Sequence, residues 1–427
     1  MRVLIVGSGG REHVLAWKIA QSPLCQEIFI APGNAGTATI GTNLPIQVNE
    51  FENLKKAALE NNIDLVVVGP EAPLVNGIKN KFNQDDSTRH IRVFGPDARA
   101  AQLEGSKDFS KGFMQKYGIP TARHKTFTSK NIEEGFDFLD ELKPPYVLKA
   151  DGLAAGKGVL ILDNLSIAKL ELESMLAHKK FGIASKRVVV EEFLKGIEMS
   201  VFVITDGKNY KILPEAKDYK RIGEGGVGLN TGGMGSISPV PHATDEFMDK
   251  VEKKIIIPTI KGIEQEEFDY QGFIFFGLMN NDGEPSVVEY NTRLGDPETQ
   301  VVIPRIKSDL LEVIHHTLEG TLNKVLFELS EDTAAAVVMA SGGYPTSYEK
   351  GMEINGLEKV REATVFHAGT ALRDGTVVTA GGRVLAVTGM GKNRKEALEK
   401  AYSGIERINF EDAYYRKDIG YDLKNED

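Results

Sequence analysis

Four short apolar runs in the first hundred residues, each closed by a break containing glycine or proline, restrict the fold of this chain more than any other feature. RVLIV (2–6), EIFIA (27–31), DLVVV (64–68) and IRVF (91–94) are rich in β-branched residues, and GSGG, APGN, GPEAP and GPD close them. Helical periodicity occupies His13–Gln21 and Glu52–Asn61 between them. Strands alternating with helices predict a βα-repeating, mostly parallel sheet. A ligand of such a sheet lies outside the carboxyl ends of its strands, where all four breaks fall.

The chain has 427 residues, too many for one hydrophobic core, and about three domains are expected. A helix starts at the N-cap candidate Ser106 and ends at Gly118, and strands YVLKA and GVLIL then flank a glycine-rich turn. Helix Leu165–His178 and strand Arg187–Glu192 follow, and Gly196–Val240 reads as antiparallel, with a hairpin at DGK and the glycine run GEGGVGLNTGGMGS. A helix over Asp245–Glu264 precedes two strands, GFIFFGLM and PSVVEYN, joined by NNDGE. Helix Leu310–Leu318 and the polar stretch to Asp332 mark a boundary, after which strands and a helix over Arg394–Asn409 predict a small α+β unit. The expected divisions are 1–104, 105–328 and 329–427.

Lys and Arg total 51 against 61 Asp and Glu, so the net charge of −10 gives no electrostatic support for nucleic-acid binding, although a local basic site for a small anion stays open. The single Cys25 excludes an intrachain disulfide and a Cys-based zinc site and fits a reducing compartment. The apolar start MRVLIV is too short for a signal peptide, and no apolar run approaches the roughly 18 residues of a membrane span. A cytoplasmic protein without a membrane partner is expected.

One strand breaks the apolar rule. In VVEYNTRLGDPETQ (287–300), Glu289, Asn291 and Arg293 fall at every second position, which on a strand puts an acid, an amide and a guanidinium on one face. Two oxygen donors at that spacing suit Mg²⁺ bridged to phosphates, and a guanidinium beside them suits a phosphoryl group or a carboxylate. Asp296 follows in a loop turned by Gly295 and Pro297. Lys149 and Lys157 surround a glycine-rich hairpin with Gly152, Gly156 and Gly158, an arrangement suited to a triphosphate; it joins strand to strand and is no P-loop. In VVVEEFLKGIEMSV the chain leaves a sheet at Glu191–Leu194, where backbone groups can read an adenine edge and Glu198 a ribose; a solvated acidic strand end is the alternative.

At the amino terminus, VGSGGREH places Gly9, Gly10 and Arg11 where a helix N-terminus can meet a phosphate, but Glu12 replaces the third glycine of a dinucleotide fingerprint. Glu71 in GPEAPL, fenced by Pro70 and Pro73, is either a rigid acid for an amine or ribose hydroxyl or a solvated turn carboxylate. AKDYKRIGEG gathers Lys217, Lys220, Arg221 and Asp218, as a site for an acidic substrate or as a solvated face, and the glycine run behind it suits a segment that closes over substrate. The eight histidines form no metal spacing.

In order, Lys107, Lys149 with GLAAGKG, EEFLKGIE and EYNTRLGDPE resemble the ATP-grasp ligases over about 200 residues. With VLIVGSGGREH, APGNAGT, GPEAPL, LNTGGMGS, SGGYP and YRKDIG added, the chain resembles the phosphoribosylamine–glycine ligase family from end to end. That resemblance implies an amino-terminal ribonucleotide-binding α/β domain (1–104), an ATP-grasp domain (105–328) with a small lobe over about 122–192 and a larger one from about 193, and a small carboxy-terminal α+β domain (329–427). It implies that ATP, glycine and 5-phosphoribosylamine give ADP, phosphate and glycinamide ribonucleotide through a glycyl phosphate, in purine biosynthesis. By position, Lys107, Lys149, Gly156, Lys157, Gly158, Glu191, Leu194 and Glu198 would bind ATP, and Glu289 and Asn291 would bind Mg²⁺ or Mn²⁺. Gly9, Gly10, Arg11 and Glu71 would cradle phosphoribosylamine, and Arg293 and Asp296 would act beside glycine. Gly277 stands where related enzymes can carry a further carboxylate ligand. A monomer, with a dimer as the alternative, is expected. Two other readings are an ATP-grasp relative using formate or bicarbonate on another ribonucleotide, and a non-catalytic nucleotide sensor; Lys149, Glu289, Asn291 and Arg293 argue against the sensor.

Overall fold

The four apolar runs form parallel strands Arg2–Gly7, Glu27–Pro32, Leu65–Val68 and Arg92–Pro96 in the computed structural model, which describes residues 1–152 and 158–423. Thr42–Asn43 extends the sheet beside Glu27–Pro32, and Arg2–Gly7 lies between Glu27–Pro32 and Leu65–Val68. Val3 and Ile5 point into one core and Leu4 and Val6 into another, so successive residues are buried on opposite faces. This explains a continuous apolar run in place of alternation. Burial contributes roughly 1.5–3 kcal/mol for each such side chain.

The sheet does not stop at the expected boundary near residue 104. Tyr270 and Gln271 pair antiparallel with Pro96 and Gly95, and their strand, Tyr270–Asn281, continues between Ile197–Thr205 and Glu284–Asn291. One nine-stranded sheet therefore runs through the amino-terminal unit and the larger of two lobes that follow it. The smaller lobe is separate: His124–Phe127, Val188–Glu192, Tyr146–Ala150 and Val159–Leu162 form a four-stranded antiparallel sheet with its own core, including Phe138, Leu148 and Leu172.

The carboxy-terminal sheet is larger than residues 329–427 can supply. Thr333–Ala340, Arg383–Gly391 and Ala363–His367 are joined by Gly235–Ser238 and Lys217–Asp218 from the middle of the chain. Two helices also differ from expectation. The helix read as Asp245–Glu264 contains a π turn at Glu252–Ile256 between Asp245–Val251 and Ile257–Gln265. Pro258 accounts for it, because its ring cannot fit against the carbonyl four residues earlier in a regular α-helix. The last helix, Arg394–Ile405, ends before Asn409, which exchanges backbone hydrogen bonds of 2.9 and 3.0 Å with Asn355.

The carboxy-terminal sheet docks on the first helix, Gly10–Ile19. The His367 N–H donates to His13 Nδ1 at 2.7 Å, and Phe366 packs edge-on against His13 and Trp17. Burial holds the His13 imidazole down to about 3 and His367 to about 4. An unfolded histidine takes its proton near pH 6.5. The docked contact is therefore fully stabilising above that value and loses ground as pH falls toward 3. Between pH 7 and pH 4 the buried neutral His13 should withdraw about 3 kcal/mol of stability. Urea titrations at both values measure it: His13→Gln should lose less stability than wild type by about that amount, and equal losses would exclude His13 as the source.

Candidate active site

A cleft between the two lobes is floored by Glu284–Asn291 and walled by helix Lys107–Lys116, with the end of strand Tyr146–Ala150 above it. Ser106 caps that helix by accepting from the Phe109 N–H at 3.1 Å, which fixes Lys107 and Lys111 one turn apart on one side. The Nζ atoms of Lys149 and Lys111 lie 2.9 and 3.1 Å from the same oxygen, Glu191 Oε2. Lys111 also donates to Thr121 Oγ1 at 2.7 Å, and Lys149 to the Val288 carbonyl at 3.3 Å. Burial pushes the Glu191 carboxyl up, but the two ammonium groups hold it below the usual range, and burial brings Lys111 down to about 8. Glu191 Oε1 is buried without a hydrogen-bond partner among the described residues. Such an atom costs about 1–3 kcal/mol until a donor reaches it, which suits a ligand amino group.

The polar face of Glu284–Asn291 exists, but a β-bulge builds it. Pairing passes from Leu278–Val287 to Gly277–Glu289, so Val288 is the extra residue and its carbonyl turns to Lys149. Tyr290 goes into the core, where its hydroxyl meets Thr259 at 2.8 Å, and Glu289 and Asn291 take the other side. A Cβ on Gly277 would lie 3.2 Å from Glu289 Cγ, so the missing side chain gives Glu289 its space. Enclosure raises the Glu289 carboxyl, and Lys220, Lys149, Lys107 and Arg293 more than reverse this. Four cations thus surround an acid at the cleft surface.

Arg293 lies beyond the strand, which ends at Asn291. Thr292 turns away, its N–H donating to Glu104 Oε2 at 2.8 Å. The Arg293 guanidinium then spans Glu104 at 2.8 Å, Asn291 Oδ1 at 3.2 Å and Glu71 at 3.4 Å. It joins the amino-terminal unit to the metal-site candidates instead of continuing their strand face. Glu71, which opens a short helix at Glu71–Val75, is half-buried and lines the cleft.

The amino-terminal loop is closed from within. Glu12 Oε2 accepts from the Gly9 N–H at 2.5 Å, and a Cβ on Gly69 would fall 2.0 Å from Glu12 Oε1. A carboxylate therefore occupies the helix end where a dinucleotide phosphate would sit. Arg11 is buried, with Nε 2.8 Å from Glu12 and Nη1 donating to the Leu294 carbonyl at 2.9 Å. Gly10 packs on Gln300, which donates to Asp296 Oδ1 at 2.8 Å. Asp296 also lies 3.4 Å from Arg383 and accepts from the Arg11 N–H at 3.4 Å. Despite burial, Arg383 and Arg11 keep its carboxyl below the usual range. These partners tie the Asp296 loop to the first helix and to the carboxy-terminal domain.

Gly158, Lys107, Lys149, Glu191, Glu289 and Asn291 come together in this cleft. Leu194 lines an adjoining hollow with Phe193, Met279 and Ser286, and Glu198 forms an ion pair with Lys220. Gly156 and Lys157 lie outside the described residues. Sequence reasoning missed Lys111, Glu104 and Glu298. Lys111 was detectable from its spacing to Lys107; Glu104 and Glu298 carry no local signal. Glu298 accepts from Ser200 Oγ at 3.3 Å, and burial together with Asp218 lifts its carboxyl to about 7. Burial also raises Asp218, against the pull of Lys220.

Two lobes closing on a lysine-lined nucleotide cleft, with an acid and an amide on the floor strand, define an ATP-grasp enzyme. The family models for the phosphoribosylglycinamide synthetase N domain, ATP-grasp (A) domain and C domain match residues 1–104, 105–299 and 334–422, and the chain belongs to that family. It is 46% identical over 419 residues to the phosphoribosylamine–glycine ligase of Caldanaerobacter subterraneus, covering 98% of this chain and 99% of that one. The crystal structure of the Thermotoga maritima phosphoribosylamine–glycine ligase superposes with a TM-score of 0.85 at 39% identity, covering 98% of this chain and 100% of the other. The biotin carboxylase domain of the Hydrogenobacter thermophilus 2-oxoglutarate carboxylase, solved with MgADP and bicarbonate, shares the fold alone: TM-score 0.70, 17% identity, 97% and 91% coverage.

Proposed function

We propose that the chain joins glycine to 5-phosphoribosylamine at the expense of ATP, giving glycinamide ribonucleotide, ADP and phosphate in purine biosynthesis. The observation that carries this reading is the ring of Lys107, Lys149, Lys220 and Arg293 around Glu289, inside a chain matched end to end by the family. A carboxylate is a poor electrophile; phosphorylation of glycine makes a glycyl phosphate with a good leaving group, and the amine of phosphoribosylamine attacks its carbonyl carbon. No protein nucleophile is needed, so the residues act by position and charge.

In this reading Lys107, Lys149 and Lys220 neutralise phosphate oxygens. Glu191 Oε1 takes a hydrogen bond from the adenine amino group, Leu194 contacts the base through its backbone, and Glu198 meets the ribose. Glu289 and Asn291 supply two hard oxygens to Mg²⁺ or Mn²⁺, a donor set that fits either ion with phosphate and water completing it. The ion would offset charge on the phosphates when bound. Gly9, Gly10 and Glu71 cradle phosphoribosylamine, and Arg11 holds their loop in place. Arg293 keeps Glu71 and Asn291 in register beside the transferring phosphoryl group. No helix among the described residues is long and apolar enough to cross a membrane. We place the reaction in the cytoplasm, carried out by a monomer.

ADP release, coupled to a spectrophotometric readout, tests the function. ADP should form only when glycine and freshly generated phosphoribosylamine are both present, and neither formate nor bicarbonate should be needed. ADP release that follows bicarbonate or formate instead would move the chain to another branch of the ATP-grasp enzymes.

A further inference from the structure

Two late motifs, SGGYP and YRKDIG, lie far from the cleft in sequence and have no part in the chemistry above. Both hold the glycine-rich hairpin formed by Arg221–Gly223 and Val227–Asn230. At its first end, Arg416 is 1% exposed and donates through Nη1 to the Arg221 carbonyl at 3.1 Å. Its guanidinium lies 5.5 Å from the ring centres of both Tyr219 and Tyr421 and bonds twice to Asp418 at 2.8 Å. Asp418 also accepts from the Gly225 N–H at 2.6 Å, and the Tyr414 hydroxyl donates to the Ile222 carbonyl at 2.7 Å. At the other end the Gly232 N–H donates to the Tyr344 hydroxyl at 3.0 Å, and Arg383 donates to the Gly232 carbonyl.

Extended backbone sends alternate residues to opposite sides. Tyr219 goes to Arg416 and the carboxy-terminal core, while its neighbour Lys220 pairs with Glu198. We infer that Arg416 is a positioning residue: by fixing Tyr219 and the Arg221 carbonyl, the carboxy-terminal domain sets where Lys220 stands relative to Glu198 and Glu289. This rests on the reading above that Lys220 faces substrate phosphate. Through this anchor the carboxy-terminal domain acts on the reaction.

The test is a double-mutant cycle on the full chain. Arg416→Met should lower kcat about tenfold or more and leave KM for ATP within about twofold, because the adenine end is built by other elements. In a Lys220→Met background the same change should cost less than about threefold, since the group it positions is gone. Arg416→Lys, which keeps the charge but not the fork, should recover only part of the rate. Losses that multiply independently of Lys220, or that fall on KM for ATP alone, overturn the positioning role. If Arg416→Met does not fold, Tyr414→Phe decides: it removes one bond to the hairpin and should show a smaller kcat loss that vanishes in the Lys220→Met background, whereas wild-type kcat overturns the inference. Tryptic cutting after Arg221 measures the anchor without any turnover. It should be about tenfold faster in Arg416→Met, and an unchanged rate overturns the anchor whatever the chain ligates. Faster cutting with uncoupled kinetics overturns only the role given to Lys220 and leaves the ligase function standing.

Discussion

Glu289→Ala is expected to lower kcat by about a thousandfold or more at saturating ATP while the unfolding midpoint stays close to wild type. The side chain stands opposite Gly277, at the cleft surface, where it fills no core and four cations converge on it. Its loss removes the acid that the ring of positive charge is built around and leaves the packing of Tyr290 behind it untouched. Steady-state rates against Mg²⁺ and Mn²⁺, with a thermal melt of the same sample, check both halves. Glu289→Gln separates donor from charge: the amide keeps an oxygen for the ion, so a partial rate at high metal is expected. Near-wild-type kcat for the alanine variant at saturating Mg²⁺ would remove Glu289 from the metal site.

Arg293→Ala should be the second most damaging change, and for two separable reasons. Loss of the guanidinium next to the phosphoryl position should cost about a hundredfold or more in kcat. It also leaves the Glu104 side chain, 6% exposed, without its cation, and breaking such an enclosed pair costs about 3–5 kcal/mol of stability. Burial already raises the Glu104 carboxyl against the pull of Arg293. Adding Glu104→Gln to Arg293→Ala should therefore restore most of the stability and none of the rate. Chemical denaturation and kcat on the single and double variants distinguish the two. Rate recovery along with stability would make Arg293 a structural tie only.

The parts of the site that the sequence announces are those written into local pattern. Alternation in VVEYN exposes Glu289 and Asn291 as a polar strand face, and a glycine-rich hairpin marks Lys149 as a phosphate ligand candidate. Glu104 and Glu298 are ordinary acids in sequence and gain their roles only when the backbone brings them to Arg293 and Asp218. Nor does the sequence show that the Arg11 guanidinium meets Glu12 and the Leu294 carbonyl, the latter a contact between residues 283 positions apart. The fold follows the same rule. Long apolar runs give the parallel sheet, whereas Lys217–Asp218 and Gly235–Ser238 are too short, and too close to the glycine run, to reveal that they complete the carboxy-terminal sheet.

Strand Tyr270–Asn281 also limits how this chain can be recombined. Because it hydrogen-bonds to Gly95 and Pro96 at one end and to Glu284–Asn291 along the rest, a graft made at residue 104 severs a sheet, not a linker. A cut at residue 328 likewise strands Gly235–Ser238 without Thr333–Ala340. The lobe containing His124–Phe127 and Val188–Glu192 is the natural unit of exchange, since among the described residues its four strands pair only with one another. Chimeras between relatives should tolerate a swapped lobe there and lose their fold when joined at either boundary that the domain names suggest.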